Sequence, residues 1–285
     1  MLLESERTRE HRRVAPRTVM VALTNACNKT CAFCYRPTDA ASRFTFDGVL
    51  ELARFLDDWG VLELTFGGGE PTIFPRFGEL LRAIWAQTRL CPSFTTNGLR
   101  LRETGLLRTI RGAYGQLQLS VYDEDDTLGL IDHLVAEEAR FGLNYLVTPT
   151  RVRTLEVDLA SFASRGVRDV LLLSYKGDDP SLHLDADDCR RLDESLVRLS
   201  RSFEDALTLK LDVCWGARLP NAPKLFDVND CEAGDDFLSI TSDRRVQHCS
   251  FAQHSVPFGD VAELRGIWEQ LRGRRETANV RGCTR

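Results

Sequence analysis

TNACNKTCAFCYRP (24–37) decides how this chain is read. It follows the apolar run RTVMVALT (17–24), which has the β-branched character of a buried strand. Cys27, Cys31 and Cys34 therefore sit in a short loop at a strand end, spaced so that one loop can wrap three thiolates around a small inorganic core. Thiolates are the usual ligands of iron–sulfur clusters. A 4Fe-4S cluster has four iron sites, so three local cysteines leave one iron open to a chelating substrate. A closed structural zinc site is the rival, and it wants four ligands.

Working outward, apolar β-branched runs alternate with segments of helical period. Strands are expected at 17–24, 61–66, 91–96, 115–122, 143–149, 168–174 and 207–214. Helices are expected at 46–59, 75–88, 102–111, 127–141, 155–164 and 185–202. Pro75 suits a first helical turn, and Asp185 suits an N-cap. Repeated strand–helix units make an α/β fold with a parallel sheet, either a closed barrel or an open sheet. In both, chemistry gathers at the C-terminal ends of the strands. The alternation breaks after about residue 214 in a loop-rich stretch. A hairpin (237–240 and 245–249) and a helix at 261–273 follow.

Composition narrows the function classes. A net charge of −5 with interspersed signs disfavours a nucleic-acid binder. No apolar run spans a membrane, and the charged N-terminus lacks the apolar core of a secretory signal, so the protein is expected in the cytoplasm. Nine cysteines in a reducing compartment read as metal ligands or catalytic groups rather than disulfides.

CNKTCAFC (27–34) resembles the three-cysteine signature of radical S-adenosylmethionine (SAM) enzymes, including the aromatic Phe33 before the third cysteine. GGGEP (67–71), TTNG (95–98), LSVYD (119–123) and VLLLSYKG (170–177) are similar, in order, to later segments of that family. The resemblance implies a partial (β/α)6 TIM-like barrel over 17–206, after an N-terminal extension at 1–16. It further implies that S-adenosyl-L-methionine chelates the open iron and is cleaved reductively to a 5′-deoxyadenosyl radical, with flavodoxin or ferredoxin as reductant. Gly67, Gly68 and Gly69 would let backbone approach the ligand, and Glu70 would accept from the cofactor ammonium. Thr96, Asn97 and Ser120 are candidates for polar cofactor contacts, Arg151 or Arg153 for a carboxylate, and Leu173 or Leu172 for the adenine. A plain Asn-Gly turn, solvated arginines and ordinary core leucines stand beside these readings. Asp123 and Lys176 are candidates for substrate contact.

Cys214, Cys231, Cys249 and Cys283 lie beyond the barrel. A loop-rich segment of this size builds little core by itself, which suggests a metal site. CEAGDDFLSITSDRRVQHC (231–249) and SVPFGDVAELRGIWEQLR (255–272) resemble the auxiliary modules called SPASM and twitch, although Arg244 or Arg245 stands at the usual hairpin glycine. The resemblance assigns 207–285 to a small C-terminal auxiliary iron–sulfur module holding one auxiliary 4Fe-4S cluster, with a four-cysteine zinc site as rival. Cys91 and Cys189 are expected to be structural thiols. Asp212 is two residues from Cys214 on the expected strand, so the two share a face and Asp212 is a candidate proton acceptor.

Three functions compete. The first is radical modification of a peptide, by oxidation, crosslinking or epimerisation, as in the maturation of ribosomally made peptides. About 16 residues precede the first strand, too few for a built-in leader-recognition domain, so the expectation is a separate recognition protein, or none if the leader is short. The second is oxidation or epimerisation of a small molecule such as a sugar or aminocyclitol. The third is a non-catalytic iron–sulfur or zinc protein.

Overall fold

The computed structural model describes residues 13–36, 40–103, 105–122, 126–203, 206–223, 231–272 and 283. The expected N-terminal extension falls almost wholly outside them, as does Asp123.

Strand β1 (Thr18–Thr24) is followed by β2 (Glu63–Gly68), β3 (Cys91–Thr96), β4 (Leu117–Ser120), β5 (Phe141–Val147), β6 (Asp169–Ser174) and β7 (Thr208–Leu211). They pair in sequence order and in parallel. No pairing closes β7 back onto β1 among the described residues, so the barrel is partial. Alternation along each strand sorts the side chains: Val19, Val21 and Leu23 of β1 and Val170 and Leu172 of β6 are buried in the core.

The helices are α1 (Phe46–Trp59), α2 (Phe77–Gln87), α3 (Leu99–Glu103), α4 (Leu106–Ile110), α5 (Thr127–Ala136), α6 (Arg151–Ser164), α7 (Ala186–Ser202) and α8 (Leu264–Leu271). Thr45 caps α1 by accepting from Gly48 N at 3.1 Å, and Gly60 ends it in the left-handed region. Asp185 caps α7 through Asp188 N at 2.8 Å.

Several expected boundaries shift. Pro75 does not open a helix: Pro71–Ile73 forms a separate 3₁₀ turn, and Arg76, at φ 59°, precedes α2. The helix expected at 102–111 is two short ones separated by Gly105 in the left-handed region. The helix expected at 127–141 stops at Ala136, with Glu138 turned to φ 53°. Helix α6 begins at Arg151, four residues early, because Thr148 Oγ1 accepts from Arg151 N at 3.3 Å and starts the turn.

The C-terminal part departs most from expectation. Strand β7 ends at Leu211, and Asp212 instead caps a 3₁₀ turn, Val213–Arg218. Asp212 and Cys214 therefore do not share a strand face. The hairpin of β8 (Phe237–Ile240) and β9 (Arg245–Gln247) joins the barrel sheet, since β8 pairs in parallel with β1. With β10 (Val256–Pro257) beside β9, one sheet runs β10-β9-β8-β1-β2-β3-β4-β5-β6-β7. Arg244 holds φ 65° in the hairpin turn, where glycine would be unstrained. Its guanidinium bonds Gly259 O at 2.7 Å and lies 4.8 Å over the Phe258 ring.

Trp268 of α8 is 1% exposed and meets Trp59 of α1 edge-on, with centroids 5.5 Å apart. The C-terminal helix thus completes the same core as the first barrel helix. Trp268→Ala should cost about 3–5 kcal/mol. Denaturation should still show one cooperative transition; two separated transitions would contradict the shared core.

Candidate active site

The C-terminal ends of the parallel strands open on a cavity of about 860 Å³. Cys27, Cys31 and Cys34 line it from one side. Their loop is fixed at its start. Thr24 Oγ1 lies 3.1 Å from Ser42 Oγ, which also accepts from Asn25 N at 2.8 Å. Asn97 Nδ2 donates to Asn28 Oδ1 at 2.9 Å and approaches Cys27 Sγ at 3.9 Å. Cys27 and Cys34 are exposed, whereas Cys31 is half-buried. Burial pushes the Cys31 thiol up, opposed by a hydrogen bond from Tyr122 and the charge of Lys29.

Gly68 and Gly69 also let two stretches of backbone meet. A Cβ on Gly68 would lie 2.3 Å from Thr24 O, and one on Gly69 would lie 2.0 Å from Ala26 O. Their bareness lets Gly69 N reach Thr24 O at 2.8 Å and Glu70 N reach Ala26 O at 2.9 Å. The close partner is therefore the backbone of the cysteine loop itself.

Glu70 is 1% exposed and lines the cavity. Its Oε1 accepts from Thr72 N at 3.1 Å, Thr72 Oγ1 at 2.5 Å and Thr96 Oγ1 at 2.7 Å. Its Oε2 accepts from Asn97 N at 2.8 Å. Thr96 and Asn97, expected to contact cofactor, are thus first of all holders of this carboxylate.

Ser120, Phe33 and Leu173 also line the cavity, while Leu172 is sealed in the core. Arg151 is not in the cavity wall. It is buried, donates to Val121 O at 3.2 Å and Leu146 O at 3.5 Å, and covers the Tyr145 ring at 4.8 Å. Arg153 is exposed on α6.

Cys214, Cys231, Cys249 and Cys283 line the same cavity. Burial pushes the Cys214 thiol up to about 12, and the neighbouring charges of Asp212 and Cys231 add to the rise. Burial likewise raises Cys249, with Cys231 and Cys283 contributing. These mutual effects place the four thiols in one neighbourhood. Among the described residues, no three His, Cys, Asp or Glu side chains converge tightly enough to hold a single ion.

Asp212 belongs to this second group. Its Oδ1 accepts from Cys214 N at 2.9 Å. Its Oδ2 accepts from Lys176 Nζ and, at 3.2 Å, from Ser174 Oγ. Burial alone would raise the carboxyl, but the Lys176 ammonium and these donors outweigh it and hold it below its ordinary value. The carboxylate so held orders the backbone at Cys214. Lys176 Nζ also donates to Ser174 O at 3.1 Å and lies 5.0 Å from the Phe251 ring centre. Phe251 in turn meets Tyr35 at 4.3 Å. Asp212, Lys176, Phe251 and Tyr35 thus form a continuous chain from the second thiol group to the residue after Cys34. Phe251 and Tyr35 carried no sequence signal; Tyr122 shares the alternation of Ser120 and was legible by it.

Residues 21–135 match the Radical SAM superfamily. A probable GTP 3',8-cyclase of Methanocella arvoryzae is 35% identical over 32% of this chain and 32% of its own length. PqqA peptide cyclase of Gluconobacter oxydans is 31% identical over 38% of this chain and 31% of its own length. The matched stretch spans about a third of each relative. In fold, the chain is similar to Streptococcus suis SuiB bound to S-adenosylmethionine, with a TM-score of 0.73 and 17% identity, covering 92% of this chain and 69% of that one.

Asp212→Ala should strand the Lys176 ammonium in a dry wall and cost about 3–5 kcal/mol; Asp212→Leu with Lys176→Met should recover most of it. The sign with pH follows from the lowered carboxyl. Its contribution is complete above the ordinary carboxylate value and is lost as pH falls through its own lower one. Denaturation curves against pH should show that acid loss in the parent and not in the double variant.

Proposed function

From the radical SAM domain that this chain carries over residues 21–135, we propose an enzyme that performs radical chemistry on a peptide. The observation that carries this reading is the single cavity lined by both thiol groups, with Glu70 in its wall. Cys27, Cys31 and Cys34 would hold the 4Fe-4S cluster that binds S-adenosyl-L-methionine. Cys214, Cys231, Cys249 and Cys283 would hold an auxiliary 4Fe-4S cluster. When bound, the first cluster and S-adenosyl-L-methionine supply a 5′-deoxyadenosyl radical able to take a hydrogen atom from substrate.

The chain's own groups orient and shield. Gly68 and Gly69 seat the cysteine loop, and Glu70, held by Thr96 and Asn97, presents a fixed carboxylate to the cofactor amine. Phe33, Ser120 and Leu173 form the wall that would receive the nucleoside. Asp212 and Lys176 fix the Cys214 side. Residues 17–206 would act as the radical domain and 207–285 as the auxiliary module, although the two share one sheet. A reductant such as flavodoxin or ferredoxin completes the expected partners.

Similarity to PqqA peptide cyclase supports a peptide substrate. The similarity to a GTP 3',8-cyclase keeps a second reading, a small-molecule substrate.

Protein prepared without oxygen should carry about eight irons, four for each cluster, and no zinc. On reduction it should cleave S-adenosyl-L-methionine to 5′-deoxyadenosine. Replacing Cys27, Cys31 and Cys34 by Ala should abolish that cleavage; retained cleavage refutes the assignment. Mass spectrometry of peptides and small molecules incubated in deuterated water then reads the outcome. A retained solvent deuteron marks inversion, and loss of a hydrogen pair marks oxidation. Turnover of small molecules alone would overturn the peptide reading.

A further inference from the structure

Below the cavity the inside of the barrel is polar. Alternation puts Gln118 of β4, Gly142 and Asn144 of β5 and Asp169 of β6 on the face opposite the core residues Leu117, Leu119, Leu143 and Val170. Register brings them side by side: Gln118 pairs with Gly142, and Asn144 with Ser120 of the cavity wall. Gln118 Oε1, Asn144 Oδ1 and Asp169 Oδ1 are buried, and among the described residues none of the three accepts a hydrogen bond. A buried acceptor left bare lowers stability, so three of them on one face call for a donor.

Gly142 shows how close two of them stand. A Cβ placed on it would lie 2.7 Å from Asp169 Oδ1, 2.9 Å from Gln118 Oε1 and 2.9 Å from Gln116 Nε2. Two oxygens around one point repel unless a molecule gives a hydrogen to each. Water gives both and keeps lone pairs for the Gln116 amide; an alkali cation or an ammonium has none to offer. A cation is disfavoured further because the Lys210 ammonium already pairs with Asp169 Oδ2. Asn144 stands two residues beyond Gly142 on β5, about 7 Å further up, and lines the cavity. Asp169 opens β6, at the end of the barrel away from the cavity, and the Lys210 side chain beside it is 47% exposed.

We propose that the barrel interior beneath the cavity binds a short chain of ordered waters on Gln118, Asn144 and Asp169, which joins the cavity floor to solvent at the Lys210 end. Each water meets several otherwise unpaired groups, as buried waters generally do. The chain gives the cavity floor an exchange route with bulk solvent that avoids the cysteine loops. It rests on barrel side chains alone and does not depend on the assignment of metal to the thiols.

The test is a crystal structure of the full-length protein, with oxygen-17 relaxation dispersion of water as a count of long-lived internal waters in solution. Water density within hydrogen-bond distance of both Gln118 Oε1 and Asp169 Oδ1 is expected. Gln118→Met, close in volume and without the acceptor, should lose relaxation amplitude and lower the melting temperature, because a bond to water is gone. A raised melting temperature would mean that the amide had been bare, and it overturns the proposal. Asn144→Leu should also lose amplitude, and it carries the solution test if Gln118→Met does not fold. Amplitude unchanged in the variants that fold overturns the proposal. So does a floor with no water density, a turned Gln118 amide bonded directly to Asp169, or an anomalous rubidium signal there in soaked crystals.

Discussion

Two backbone hydrogen bonds, from Gly69 N to Thr24 O and from Glu70 N to Ala26 O, hold the start of the cysteine loop against the end of β2. They form only because no Cβ intervenes at Gly68 and Gly69. The same turn swings the Glu70 carboxylate inward, where donors from Thr72, Thr96 and Asn97 satisfy it. A buried carboxylate with fewer partners would be expensive, and its partners come from the next strand end. One short glycine run therefore registers three consecutive strand ends against the thiol loop. Asn97, whose backbone holds Glu70, extends its side chain to Asn28 within that loop and closes the circuit.

The second thiol group is tied to the barrel at both open edges of the sheet. Strand β7 adds to β6 and delivers Asp212, while β8 adds to β1 and leads through the hairpin to Cys249. Cys214 and Cys249 thus arrive at one cavity from opposite ends of the same sheet. Arg13 and Arg17 reinforce the β8 side through Asp236, and Asp193 of α7 receives Asn221 N and Ala222 N just past the turn that bears Cys214. A sheet that carries both groups fixes their separation more firmly than a flexibly linked module would.

Much of this was legible in the sequence because it rests on period and punctuation. Strand–helix alternation predicts the parallel sheet, Asp185 predicts its cap, and the spacing of Cys27, Cys31 and Cys34 predicts one loop bearing three thiols. What was not legible depends on contacts distant in sequence. Nothing in FLSI (237–240) says that it pairs with β1. Nothing in RVRT (151–154) says that Arg151 folds onto strand-end carbonyls and Tyr145 instead of reaching a ligand. Asp212 was placed beside Cys214 by the wrong device: strand alternation was expected, and a capping turn does it. The proximity survives the error, and the carboxylate divides its oxygens between the Cys214 backbone and the side chains of Lys176 and Ser174.

The Lys176–Asp212 pair then raises a question of economy. Lys176 is 3% exposed and Asp212 11%, and a buried ion pair is on average no more stabilising than well-packed apolar residues of similar volume. Stability alone does not explain charges here. Each member, however, is committed to something an apolar side chain cannot do. Asp212 orders the backbone at Cys214 and the hydroxyl of Ser174. Lys176 holds the carbonyl of Ser174 and faces the ring of Phe251, which touches Tyr35 beside Cys34. The pair lies where β6, the Cys214 turn and the loop after Cys249 meet, and its directional bonds lock all three in one arrangement. Apolar packing there would leave each free to slide against the others, and the distance between the two thiol groups would slide with them.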